Sequence, residues 1–203
     1  MFTDSIWAWI AVTVAAYLLG AFSGGIFTSL TFFKKDLRNY GSANAGLTNA
    51  IRNFGWQAGA VTGVIDMLKA LAALFLAVWL VGPYGAIAAG GAVCIGHAYP
   101  VYYGFKGGKS ATCSLAIIAF ICWQAALVSM ALFAALVLLT RKVSLGSILG
   151  ALLAPFGVWF FMPDELPYIL FVAALALFIT FLHRSNIKRI LAGVEHEAWK
   201  KKS

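Results

Sequence analysis

The sequence predicts an all-α protein that crosses a membrane several times, and three observations carry that prediction. Of its 203 residues 62% are hydrophobic and 11% charged, against about 45–50% and about 25% in soluble domains. Apolar stretches of about twenty residues recur along the chain, each long enough as a helix to cross a hydrocarbon core about 30 Å thick. The basic residues gather at the ends of these stretches: Lys34, Lys35 and Arg38, then Arg52, Lys106 and Lys109, Arg141 and Lys142, Arg184, Lys188 and Arg189, and finally Lys200, Lys201 and Lys202. Lys69 is the exception. This is the positive-inside pattern. It accounts for the net charge of +8 without the basic face that a nucleic-acid partner requires, so a soluble protein and a nucleic-acid binder are both excluded.

The expected spans are 6–30, 56–81, 84–103, a paired segment within 110–139, 145–162 and 166–183. The first is too long for the hydrophobic region of a signal peptide, and no positive charge precedes it, so it is expected to persist as a spanning helix. The connections at 81–84 and 162–167 contain no Lys or Arg and are expected outside, whereas the one from Lys34 to Arg52 is expected in the cytoplasm. Two spans later the chain returns to the cytoplasm at Lys106 and Lys109. A single helix over 110–139 would then deliver Arg141 and Lys142 to the outer face. Two short helices are expected there instead, each about 20 Å long, turning near Trp123 and Gln124 and packed inside the bundle or at a thinned bilayer. The result is seven transmembrane helices, two of them short, with the N-terminus outside and the C-terminus cytoplasmic. All fifteen Lys and Arg then share the cytoplasmic side with Asp36, Asp66, Glu195 and Glu197, while Asp4, Asp164 and Glu165 lie outside. Residues 1–203 are expected to form a single membrane domain. Cys94, Cys113 and Cys122 lack metal-ligand spacing and read as small buried hydrophobes, so neither a disulfide framework nor a metal site is expected.

Polar chemistry is concentrated in three segments on the expected cytoplasmic side. In residues 39–55, NYGSANAGLTNAIRNFG, the residues Gly41, Ser42, Asn44, Gly46, Thr48, Asn49 and Arg52 fall within twelve positions. Small residues let a backbone approach an oxyanion, hydroxyls and amides donate to it, and Arg supplies a planar cationic fork. The inventory fits a phosphate-binding loop or an ordinary solvated connection, and the presence of only one nearby acid, Asp36, tilts it towards the former. Residues 96–112, GHAYPVYYGFKGGKSAT, end a span in a turn where Lys106 and Lys109 flank Gly107 and Gly108. Its GGKS is like the end of a nucleotide-binding P-loop, but Tyr103 stands where that loop needs glycine. The two lysines suit a phosphate as point charges, or simply anchor the span. Residues 181–197, FLHRSNIKRILAGVEHE, carry His183 and Asn186 among Arg184, Lys188 and Arg189, with Glu195 further along. That segment reads as a lipid-headgroup anchor or as part of a site. Within the second span Asp66 and Lys69 share a helical face. Ionisable groups at membrane depth are usually paired, inward-facing and functional, a self-neutralising structural pair being the alternative. Arg141 and Ser144 add a further cation and hydroxyl.

Together these motifs resemble those of the bacterial acyl-phosphate:glycerol-3-phosphate acyltransferases. GSANAGLTNAIR is similar to the family's GSGNxGxTNxxR, GHAYPVYYGFKGGKSATC to GHxxPxxxxFKGGKGxAT, and HRSNIKRILAGVE to HRxNIxRLxxGxE, in the family's order, and the likeness runs from Tyr17 to Glu195. The resemblance implies a seven-helix enzyme of the bacterial inner membrane, with its active site at the cytoplasmic face. It implies transfer of a fatty acyl group from acyl phosphate to glycerol 3-phosphate, giving lysophosphatidic acid, with no cofactor, no metal and no obligate protein partner, and with membrane lipid as its surroundings. Catalytic roles fall on Ser42, Arg52, Lys109 and His183. Substrate contacts fall on Gly41, Asn44, Gly46, Thr48, Asn49, Lys69, His97, Lys106, Gly107, Gly108, Ser144, Asn186 and Glu195. Of these, Ser42, Asn44, Thr48, Asn49, Arg52 and Lys109 are expected on phosphate, and Ser144, His183 and Asn186 on glycerol 3-phosphate.

Four positions depart from the family pattern: Ala43, Ala70 and Ser110 stand where it has glycine, and Cys113 where it has threonine, with Thr112 alongside. Acyl phosphate is an activated mixed anhydride, so positioning and charge stabilisation suffice without a covalent acyl-enzyme. The proton of the attacking hydroxyl is left to His183, His97 or the donor's own phosphate. The HxxxxD signature of other acyltransferases is excluded, because the residues five after His97, His183 and His196 are Tyr102, Lys188 and Lys201. A transporter of phosphorylated solutes would carry polar groups towards both faces, and a lipid-binding scaffold leaves the closely spaced Ser, Asn, Thr and Gly unexplained.

Overall fold

The computed structural model describes residue 3 and residues 5–198; Asp4, expected outside, and Lys200, Lys201 and Lys202 of the basic tail lie outside the described residues. All regular structure among the described residues is helical. The chain forms two compact units, Met1–Phe120 and Ile121–Ser203. The first holds α1 (Ile6–Ala21), α2 (Gly24–Phe33), α3 (Leu47–Phe54), α4 (Trp56–Val81), α5 (Gly85–Ala98) and nearly all of α6 (Ala111–Ile121). The second holds α7 (Trp123–Thr140), α8 (Val143–Phe161), α9 (Leu166–Leu182) and α10 (Arg184–Leu191).

In the first unit α1 packs on α4 and α5, and α2 on α4. Small residues set these distances: a Cβ at Gly20 would strike the Val93 backbone, and one at Gly96 would strike the Tyr17 carbonyl. Such close backbone approach is what small residues provide between helices in lipid, where apolar surface alone gives little reason to associate. In the second unit α8 packs on α7 and α9. Only Ala125, Ala126 and Ser129 of α7 are buried, and Leu138 and Leu139 are among its outward residues, a surface suited to lipid.

The first span differs from its expectation. Residues 6–30 are not one helix: α1 ends at Ala21 and α2 begins at Gly24, with Phe22 and Ser23 both in extended conformation. Ser23 caps α2 by accepting from the Ile26 amide at 3.3 Å. The carbonyls freed by the break are met from α4, where the Lys69 ammonium donates to Gly20 O at 2.9 Å and to Phe22 O at 2.7 Å. The Asp66 carboxylate accepts from the Gly24 amide at 3.2 Å. A helix can break at membrane depth only where protein groups satisfy its backbone again, and the DxxK pair does so here.

The 110–139 segment is divided as expected, at Cys122, but its halves are unequal, 11 residues in α6 and 18 in α7, so only α6 is short. The break falls beside the expected turn at Trp123 and Gln124, and what departs from expectation is the length of α7, which runs on to Thr140. The 84–103 segment stops being α-helical at Ala98, before Pro100, because a proline disfavours helical geometry in the residue ahead of it. Among the described residues four helices are long and apolar enough to cross a membrane, Ile6–Phe33 taken as one, with a fifth if α9 and α10, bent by 60°, form one span.

Candidate active site

The first motif is shaped by an ion pair just ahead of it and by Asn49 within it. Asp36 accepts from the Arg38 amide at 2.9 Å and pairs with the Arg38 guanidinium at 2.7 Å. That guanidinium holds the Asp36 carboxyl below the usual carboxylate range, and the carboxylate in turn raises the Arg38 value. Arg38 also donates to the Tyr103 carbonyl at 2.6 Å, tying the turn ahead of the first motif to the second. Neither residue stood out in the sequence beyond its charge, although the Asp-x-Arg spacing was the available signal. The second organiser is Asn49, only 2% exposed. Its amide nitrogen donates to Tyr40 O and Asn44 O, both at 2.9 Å, and its oxygen accepts from the Ser42 amide at 3.1 Å and from Asn53 at 2.9 Å. With both ends of its amide engaged, Asn49 shapes the loop that presents Ser42, Asn44 and Thr48. A Cβ at Gly41 would press on Asn49 and Asn53, and one at Gly46 on the Asn44 amide, so both glycines serve the loop's own packing. Ser42, Asn44, Thr48 and Arg52 are all half-buried, with Arg52 on the last turn of α3.

Two of the departures from the family pattern sit where the backbone is left-handed: Ala43 has φ of 54° and Ser110 of 57°. Glycine adopts this conformation without the steric penalty of a Cβ. Ser110 gains a compensation, because its buried hydroxyl donates to the Cys94 carbonyl at 2.7 Å. Cys113 is buried, and its thiol donates to the Asp66 carbonyl at 3.4 Å.

The second motif folds back on the end of α5. The Gly107 amide donates to Ala98 O at 3.2 Å and the Gly108 amide to His97 O at 3.0 Å. These amides therefore satisfy terminal carbonyls of α5. Lys106 is exposed and Lys109 half-buried. Beneath the turn lies a cluster of three ionisable side chains, Asp66, Lys69 and His97, none more than 7% exposed. The Lys69 ammonium lies 2.8 Å from the Asp66 carboxylate and 2.9 Å from His97 Nδ1. The same Asp66 oxygen lies 3.5 Å from His97 Nδ1, so the three side chains form one coupled cluster. Asp66, His97 and Cys113 also bring potential metal-ligand atoms within 4.8 Å of one another. Lys69 already supplies the cation that touches two of those three groups, and the set does not fit a metal.

In the second unit three of the predicted residues meet. The chain leaves α10 through Gly193, φ +73°, and the Val194 amide bonds to Arg189 O at 2.9 Å. That turn returns Glu195 over the helix. Its carboxylate accepts from Ser144 of α8 at 2.8 Å, from Asn186 at 2.6 Å and from Arg189 at 2.7 Å. Burial opposes ionisation of Glu195, but these three donors outweigh it and hold the carboxyl below its ordinary value. His183 is 4% exposed at the α9–α10 bend, its Nδ1 2.8 Å from Ile179 O.

Residues 10–193 match the sequence profile of a family described as glycerol-3-phosphate acyltransferase. A protein named glycerol-3-phosphate acyltransferase from Finegoldia magna is 38% identical over 94% of this chain and 96% of its own length. One of the same name from Erwinia tasmaniensis is 38% identical over 95% of this chain and 93% of its own. Among solved structures, the fold is similar to the glycerol 3-phosphate form of PlsY (YgiH), described as an integral membrane glycerol 3-phosphate acyltransferase. That match has a TM-score of 0.85 and 32% identity and covers 93% of this chain and 94% of the other. The lysophosphatidic acid form of the same protein matches with a TM-score of 0.84 and 30% identity over the same shares.

Proposed function

Because this chain belongs to the glycerol-3-phosphate acyltransferase family, we propose that it transfers a fatty acyl group from acyl phosphate to a hydroxyl of glycerol 3-phosphate. The observation that carries the reading is the match over residues 10–193, which takes in the phosphate-suited motif at Gly41–Arg52, the glycine-rich lysine turn and the start of the HRSN segment. The products are 1-acyl-glycerol 3-phosphate, which is lysophosphatidic acid, and inorganic phosphate, and the step belongs to phospholipid synthesis. The enzyme works as a single domain in the bacterial inner membrane, with seven membrane crossings, the N-terminus outside and its active site at the cytoplasmic face.

In this reading Ser42, Asn44, Thr48, Arg52 and Lys109 hold phosphate, Lys106 adds positive potential, and Asn49 keeps the loop in shape. Ser144, His183 and Asn186 help to bind glycerol 3-phosphate, with Glu195 fixing the first and last of them. The hydroxyl oxygen forms a bond to the acyl carbon, the bond from that carbon to the phosphate oxygen breaks, and the leaving phosphate takes the proton. The donor is already an activated anhydride, so charge stabilisation and alignment supply the catalysis, and Arg52 and Lys109 face charge that builds as phosphate departs. No side-chain nucleophile is needed.

Purified protein incubated with acyl phosphate and glycerol 3-phosphate should form lysophosphatidic acid, whereas acyl-CoA and acyl-carrier protein in its place should give none. Product from either of those donors and none from acyl phosphate would overturn the donor assignment. No product from any of the three would overturn the reaction itself.

A further inference from the structure

The cluster beneath the lysine turn carries an inference beyond binding. We infer that Lys69 and His97 are positioning residues that set the GGK turn through Gly108, and so fix where Lys109 is presented, without touching substrate themselves. The contacts already described leave Lys69 little else to do. The Lys69 ammonium, with three hydrogens to give, faces Gly20 O, Phe22 O, Asp66 and His97 within 2.9 Å. It is 7% exposed. The His97 ring is held by Lys69 on its Nδ1 side, and its Nε2 edge lies where a Cβ on Gly108 would go. The imidazole is therefore the surface on which Gly108 rests, and Lys109 is the next residue. Gly107 rests on the backbone instead, since a Cβ there would strike the His97 carbonyl. Neither glycine has a left-handed φ, so alanine at each is opposed by contact alone.

This difference between side-chain and backbone contact gives the test. The inference rests on the proposed role of Lys109, so wild-type activity with acyl phosphate and glycerol 3-phosphate is measured first. Absence of lysophosphatidic acid there would defeat the proposed function, not the positioning alone. Given an active wild type, Gly108→Ala should lower turnover by about a hundredfold, the scale expected when a reacting group is misplaced by about 1 Å. The double variant His97→Ala/Gly108→Ala should regain activity to within about tenfold of wild type, because removing the ring makes room for the added methyl. Gly107→Ala should not be rescued by His97→Ala, because its obstruction is backbone. If Gly108→Ala fails to fold, the same comparison is read as recovery of folded, active enzyme in the double variant.

A second cycle tests whether His97 acts through Lys109. His97→Ala should lower turnover in the wild-type background and have little further effect in Lys109→Ala. A residue that merely supported the fold would cost the same in both. Multiplying losses in either cycle, or full activity in Gly108→Ala, would overturn the positioning role.

Discussion

Arg52 and Lys109 are the side chains on which the proposed chemistry leans hardest. Arg52→Ala and Lys109→Ala should each lower turnover by about tenfold to two-hundredfold, since a charge-assisted contact is worth roughly 1.5–3 kcal/mol. Thermal unfolding in detergent should change little, and Lys201→Ala should leave the rate near wild type; equal losses in all three would make the cations general anchors. The departures from the family pattern yield a subtler contrast. Ala43 occupies a left-handed position where a Cβ costs about 1–2 kcal/mol, partly offset by the greater freedom glycine has when unfolded. Ala43→Gly should therefore stabilise the protein by up to about 1 kcal/mol. Ser110→Gly should gain nothing, because it also loses the buried hydrogen bond to Cys94 O, worth about 0.5–1.5 kcal/mol. A chemical or thermal unfolding series on the two variants checks this, and equal gains in both would sink the argument. The sequence showed that Ala43 and Ser110 were unusual, but φ is set by the chain on either side. Asn49 was legible as a polar loop residue. Its use of both amide ends within the loop was not, since its partners are mostly backbone atoms that no side-chain pattern records.

The breaks between helices are where sequence reasoning succeeded least evenly. Asp66 and Lys69 could be read as a paired, inward-facing couple, yet the structure they serve, the break at Phe22 and Ser23, lies more than forty residues away in an apolar run without proline. Hydropathy is continuous there, so only the polar partners on α4 mark the break. Lys69→Met should thus destabilise the first unit by about 3–5 kcal/mol, as expected when a buried carboxylate loses its partner, with two carbonyls stranded as well. Unfolding midpoint and yield in detergent measure it, and wild-type stability would contradict the clamp. The end of α10 behaves differently, because Glu195 lies outside the apolar spans and is open to pH. Its carboxyl value is lower in the folded protein than the ordinary 4.5. The ionised form therefore stabilises the fold fully above that value, and this contribution disappears as pH falls through the depressed one. Hydrogen exchange in 190–198 should accelerate as pH drops below about 4.5, beyond the intrinsic trend for exposed amides. Glu195→Gln should exchange fast already at neutral pH, and protection equal to wild type would remove Glu195 from the role of fastener.

Topology rests on charge for direction and on helix length for plausibility, and the two sources constrain different things. Among the described residues length and apolarity qualify four helices to cross, or five with the bent α9–α10 pair. Charge asks for seven, which requires α5, 14 residues, and α6, 11 residues, to cross as well. At 1.5 Å per residue these helices measure about 21 and about 16 Å, short of a hydrocarbon core of about 30 Å, so the bilayer must thin around them or flanking polar groups must reach the interface. For 110–139 charge argues for an even number of crossings, because an odd number would carry Arg141 and Lys142 outward against the positive-inside bias. The native cysteines are buried, which leaves single introduced cysteines as reporters. Asp164→Cys should react with an impermeant thiol reagent applied to intact cells, since 162–167 holds two acids and no base. Lys142→Cys should stay unlabelled until the membrane is opened, and then react. Labelling of position 142 from outside would make 110–139 a single crossing, reverse the side on which α8 begins, and carry Ser144 away from the cytoplasmic glycerol 3-phosphate it is proposed to bind.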